Sequence, residues 1–328
     1  MIRRNCRKTA EELAQHPITF EATHLIDKSS KVLALGSCFA LRVKEFLLAN
    51  GYGVLNEGDL QPQVVHGRKE FDPRIYYNTF CIRYEFERVT GDFLQNENDF
   101  WEPRDNVARV FQDPYRRMLC AIDREGLWNR IREVDQQMRQ HILTADLVII
   151  TLGLTEVFFQ PQNDNAICAA PGYCGGGGAH TTFRCTEYPE NFENLDRVVQ
   201  ILQQVNPKAH LLLTVSPVPL GNTFAPHTDH AIANTESKSV LRAVAGALVR
   251  KYDHVHYFHS YELVMHSARS DVFLDDGRHV KPDYVSGIMQ EFERQYVRAN
   301  PLPPHQGTSR RGPRFIDLSP TIPTAIRR

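Results

Sequence analysis

Two side chains able to attack a carbonyl carbon, Ser37 and Cys38, stand side by side in residues 31–40, KVLALGSCFA. The apolar run Val32, Leu33, Ala34 and Leu35 before them suits a strand buried on both faces of a parallel sheet. Gly36 lets the chain turn, and residues 40–49, ALRVKEFLLA, carry apolar side chains at helical spacing. A nucleophile between a strand end and a helix start meets the partial positive charge of the helix N-terminus, and its own N–H can serve an oxyanion hole. Open α/β sheets place their active sites at this carboxyl edge. Cys38 is the intrinsically better nucleophile. Neighbouring side chains diverge in such a turn, however, so the two do not face a substrate together.

Far downstream, residues 275–279, DDGRH, put Asp276 three residues before His279. This string follows the last predicted strand, where a short turn can hold an imidazole against the sheet edge while a carboxylate fixes its tautomer. The other reading of His279 is a loop histidine at the start of the final helix. Other polar strings promise less. Residues 227–230, HTDH, lack a third metal ligand and read as loop. Cys168, Cys174 and Cys185 cluster in sequence without metal-type pair spacing, so neither metal nor cofactor is expected. Four glycines, 175–178, read as a flexible loop or lid with His180 beside them; no Gly-Lys-Ser/Thr follows, so this is not a phosphate loop.

The elements that must position these groups follow from periodicity. Residues 145–152 (ADLVIITL) and 210–215 (HLLLTV) are buried strands, 52–55 a short one, and 254–257 the last. Helical spacing marks residues 127–143, 190–205 and 234–251, the last capped by Asn234 or Thr235, and a closing helix runs to about 297. Strands and helices alternate, which predicts an α/β fold: a three-layer α/β/α sandwich with a mostly parallel sheet, flavodoxin-like in type. Residues 59–125 lack clean periodicity and read as an elaboration beside the sheet, with a hairpin strand near 107–111. Asn78 within it is either an amide donor to an oxyanion or an ordinary cap. Gly58 after the second strand reads as a turn. His254 and His256 share one strand face and read as structural.

The chain of 328 residues has 42% hydrophobic and 23% charged residues and a net charge of −1, which fits a globular domain and gives no field toward nucleic acid or anionic membrane. Its first twenty residues lack the apolar core of a signal peptide, and no apolar run is long enough to cross a bilayer. A cytoplasmic protein with reduced thiols is expected, seven cysteines being an odd count. Residues 1–30 read as a lead-in with a short helix at 9–15, and 31–299 as one domain with insertions at 59–125 and 160–188. Residues 300–328, with six prolines and five arginines, read as a tail without a packed structure.

Gly36-Ser37-Cys38-Phe39-Ala40 resembles the signature of the GSCFA family, a bacterial group similar to the SGNH hydrolases. Tyr77-Asn78-Thr79-Phe80, residues 151–156 (TLGLTE), Ser216-Pro217-Val218-Pro219 and Asp276-Gly277-Arg278-His279 extend the resemblance in the same order. It implies Ser37 as nucleophile, His279 as proton carrier and Asp276 as its orienting partner. It further implies oxyanion donors at Ser37, Asn78, the Gly58 N–H, and the region of Gly153. There Thr155 occupies the position of the usual Asn, with Glu156 after it. Cys38, Gly153, Glu156 and Ser216 are further candidates at the same edge, and Glu262 in SYELVM is family-like with an open role. The expected activity is a serine esterase or deacylase acting on an acyl ester of a small molecule or carbohydrate. Acyl transfer onto a polysaccharide precursor and a non-catalytic binding protein of the same fold are the alternatives.

Overall fold

The computed structural model describes residues 22–58, 64–65, 68–69, 74–103, 110–117, 119–168 and 181–298. In chain order its strands are β1 (Lys31–Gly36), β2 (Gly53–Val54), β3 (Val64–Val65), β4 (Arg68–Lys69), β5 (Phe111–Gln112), β6 (Cys120–Ala121), β7 (Leu147–Leu152), β8 (Glu156–Phe159), β9 (Thr182–Cys185), β10 (His210–Val215) and β11 (Val255–Tyr257). The apolar runs pair in parallel as a five-stranded sheet ordered β11-β10-β7-β1-β2. Counted along the chain, these strands lie 2-1-3-4-5, the flavodoxin-like order. The winding therefore reverses between β1 and β7, which is where ligands bind in such sheets.

Alternation along the strands divides the core in two. Leu33 and Leu35, Val148 and Ile150, and Leu211 and Leu213 face one side, covered by helices Thr79–Thr90, Arg124–Thr144, Tyr188–Val205 and His230–Lys251. Val32, Ala34, Leu147, Ile149 and Leu212 face the other, covered by helices Phe39–Ala49 and Pro282–Tyr296. This is the expected three-layer arrangement. The register sets Gly36 beside Thr151 and Thr151 beside Thr214, so three strand ends reach one edge in line.

Three sequence expectations need correction. Residues 79–90, read as aperiodic, form a full helix capped by Asn78 and closed by Gly91. Its period is masked because Glu85 points inward as an ion-pair partner: Arg116 Nε and Nη2 donate to its two oxygens at 2.8 and 2.7 Å, and Arg88 donates at 2.9 Å. Burial works against that charge, yet Arg116 and Arg88 hold the Glu85 carboxyl below its usual range. Second, part of the irregular 160–188 stretch is a strand, since β9 pairs antiparallel with β8. Third, the helix predicted at 234 begins at His230, with Asp229 as cap. Of the hairpin strand expected at 107–111, residues 107–109 lie outside the described residues; the strand found is β5, Phe111–Gln112, paired antiparallel with β6. Residues 104–109, the polyglycine stretch with Cys174 and His180, the helix at 9–15 and the tail lie outside the described residues.

Candidate active site

Gly36 makes the turn after β1 with φ +120, and a Cβ there would lie 2.2 Å from the Thr151 carbonyl oxygen. Only glycine permits both the dihedral and the approach. Ser37 follows, 2% exposed, and its Oγ has no hydrogen-bond partner among the described residues. Its N–H donates to Thr151 O at 2.8 Å. The sheet ladder thus runs one residue beyond β1 and takes the donor expected for an oxyanion hole. Cys38 is half-buried and caps the Phe39–Ala49 helix without a side-chain cap bond.

Next to this turn, Gly153 follows β7. A Cβ there would meet the Tyr77 carbonyl oxygen at 2.5 Å, because Leu154 N–H donates to that oxygen at 2.9 Å. Thr155 is buried and fully engaged: its N–H donates to Ser237 Oγ at 2.7 Å, and its Oγ1 bonds the same oxygen at 3.1 Å. Asn78 is similarly committed, its Oδ1 accepting from Cys81 N–H at 2.9 Å and its Nδ2 donating to Ile167 O at 2.9 Å. Asn78 therefore acts here as a helix cap rather than as a spare amide. Ser216 N–H continues the ladder to Leu152 O at 2.8 Å, and its buried Oγ accepts from Val218 N–H at 3.3 Å. Gly58 sits in an exposed turn with φ +69 and open space around it. The group that reaches β1 from this loop is Asn56, whose Nδ2 donates to Ala34 O at 2.7 Å.

Glu156 holds the loop after β10. Its carboxylate accepts from Thr223 Oγ1 at 2.5 Å and Phe224 N–H at 2.8 Å. That loop borders a small cleft walled by Leu154, Phe158 and Phe224.

Asp276 and His279 form a pair on a hairpin bridged between Phe273 and Val280. Asp276 Oδ1 accepts from the N–H groups of Arg278 and His279, both at 2.9 Å, and Oδ2 meets His279 Nδ1 at 2.5 Å. These bonds, the imidazole first, hold the Asp276 carboxyl down at about 2. Both side chains are about half exposed. Val280 packs in the same apolar cluster as Phe39, and the Arg278 guanidinium lies against Gly221 in the loop after β10. The hairpin is thereby tied to the Phe39–Ala49 helix and to the neighbouring loop. His279 makes no hydrogen bond to Ser37 in this conformation.

One residue escaped the sequence reading. Lys238, on the His230–Lys251 helix, is 2% exposed and its Nζ donates to Gly153 O at 2.6 Å. Burial pulls its pKa down to about 7, and the neighbouring Cys38 works in the opposite direction. The signal was available: Lys238, Leu241, Ala245 and Leu248 recur at helical spacing on a face that is buried. Glu262, left open by the sequence, pairs with Arg242 and accepts from Tyr257 Oη at 3.0 Å.

The strings that carried the sequence resemblance thus lie mostly along one edge of the sheet, with the hairpin tied to it. A comparison with curated proteins finds no match. The family model for the GSCFA family matches residues 31–292, from the first strand through most of the closing helix, and the chain belongs to that family.

Proposed function

We propose that this protein is a serine acyl hydrolase with Ser37 as nucleophile, His279 as proton carrier and Asp276 as orienting group. The observation that carries the reading is the Asp276–His279 pair: a carboxylate fixed by two backbone N–H groups grips Nδ1, which leaves Nε2 to take a proton. Ser37 supports it as a buried hydroxyl without a partner at the switch point of the sheet. In this scheme His279 swings from its exposed position to Ser37 as substrate enters, and the first-turn N–H groups at Cys38 and Phe39 replace the committed Ser37 N–H as oxyanion donors. Substrates are acyl esters of small molecules or carbohydrates. Water or a sugar hydroxyl then resolves the acyl enzyme.

A second reading, a binding protein without turnover, is favoured by the 2% exposure of Ser37 and by the commitment of Asn78 and Thr155 to internal bonds. A fluorophosphonate probe followed by peptide mass spectrometry separates the two. Covalent label on Ser37, lost in Ser37→Ala and kept in Cys38→Ala, is expected. Label on Cys38 alone, or none on a folded protein, refutes the serine mechanism.

A further inference from the structure

Lys238 is a cation without an anion. An ammonium carries three N–H donors; one reaches Gly153 O, and no carboxylate or further acceptor meets the others among the described residues. Burying a charge so poorly compensated is costly, and an apolar side chain of similar length would fill the same space at less cost. Its electrostatic neighbour is Cys38, at the start of the 11-residue Phe39–Ala49 helix. The first N–H groups of that helix lack intrahelical acceptors and carry partial positive charge. Ser37 Oγ, buried and unpartnered, lies one residue before. The Gly153 carbonyl that holds the ammonium lies two residues beyond Thr151, whose carbonyl takes the Ser37 N–H, so the buried ammonium, the helix N-terminus and the idle hydroxyl stand at one sheet edge.

We infer that Lys238 is a catalytic residue whose ammonium receives the oxyanion formed when Ser37 adds to a substrate carbonyl, a task for which Asn78 and Thr155 are not free. The inference rests on the serine mechanism above. In that step the Ser37 Oγ–carbon bond forms, the Oγ proton passes to His279, and the carbonyl π pair moves onto oxygen, where Lys238 donates to it. Among the described residues, Tyr188 and Tyr261 from the flanking helices and Arg242 and Arg250 from its own helix line the same recess as Lys238, and Cys38 of the Phe39 helix acts on it electrostatically. Of these, Cys38 is the group that favours the ammonium.

Fluorophosphonate labelling kinetics test this, because Ser37 attack on phosphorus expels fluoride through the same build-up of negative charge on oxygen. Lys238→Met is expected to slow labelling about 10²–10³-fold, the scale of losing one oxyanion donor, and Lys238→Arg less than about tenfold, since it keeps the charge. The wild-type rate should fall as pH rises above about 7, where the ammonium loses its proton, and Lys238→Arg should lose that alkaline decline. Thermal melting verifies that each variant is folded. Wild-type labelling at Ser37 matched by a folded Lys238→Met overturns the role of Lys238 and leaves the serine mechanism standing. Equal slowing in both variants with an unmoved pH profile overturns it as well, in favour of a structural lysine. Absence of label from wild-type Ser37 removes the serine mechanism and this role together.

Discussion

Replacing Lys238 by methionine should make the protein more stable, and the size of the gain follows from its burial. The ordinary lysine value is 10.5 and the folded one about 7. At 1.36 kcal/mol per pH unit the charged form is penalised by about 4 kcal/mol at pH 7. Methionine removes that penalty but also the bond to Gly153 O, worth about 1 kcal/mol. The net expectation is a gain of about 2–3 kcal/mol, or about 4–12 °C in Tm for a domain of this size.

The pH dependence has a definite sign. Between about 7 and 10.5 the unfolded lysine holds a proton that the folded one has released, so wild-type stability rises with pH across that window. The advantage of Lys238→Met is therefore greatest at and below pH 7 and fades toward 10.5. Urea unfolding of both proteins at pH 6, 7, 8 and 9.5 reads this directly. A variant less stable than wild type at pH 7, or an advantage independent of pH, refutes the argument that the folded protein holds a penalised cation.

Other perturbations separate chemistry from architecture. On an acetyl ester, His279→Ala is expected to lose about 10⁶ in kcat, Asp276→Ala about a hundredfold less. Asp275→Ala should stay near wild type, and a more damaging Asp275→Ala would break the Asp-x-x-His assignment. Arg116→Met strands Glu85 without its bidentate partner, so a loss of about 3–5 kcal/mol by urea unfolding is expected. His256 is held down at about 4 by burial first, then by His210 and His254. It charges more readily unfolded, with an ordinary value of 6.5, so stability is intact above pH 6.5 and falls toward pH 4; His256→Gln should flatten that acid slope in melting curves.

Much of the frame was legible because strands buried on both faces announce themselves as unbroken apolar runs. Residues 32–35, 147–150 and 211–213 are such runs, and they lie on three successive strands of the sheet. The Thr79–Thr90 helix stayed hidden for the opposite reason: a buried charge, Glu85, occupies its inner face, and its partner Arg116 lies 31 residues away. The β8–β9 hairpin was obscured by the long insertion between its strands. At the candidate site, the strand-turn-helix that carries Ser37 and the Asp-x-x-His spacing could be read locally. Whether a donor is free could not, because the acceptors that occupy Ser37 N–H, Asn78 Nδ2 and Thr155 N–H are Thr151 O, Ile167 O and Ser237 Oγ. Each comes from a segment that only folding brings near.

That difference bears on how the site is built. The side chains that resemblance nominated as oxyanion donors are used to close walls: Asn78 caps a helix, and Thr155 ties β8 to the His230–Lys251 helix. Among the described residues at this edge, groups left with unused bonding capacity include the Ser37 and Thr151 hydroxyls and the Lys238 ammonium, and the ring of His279 has one nitrogen fixed by Asp276. Buried polar groups without partners are uncommon, and each one costs stability. Ser37 and the Gly153 carbonyl that holds Lys238 both stand at the edge where the sheet reverses its winding. Packing alone gives no reason to gather such costs at one edge, whereas the charge that would develop in the proposed reaction gives one for both.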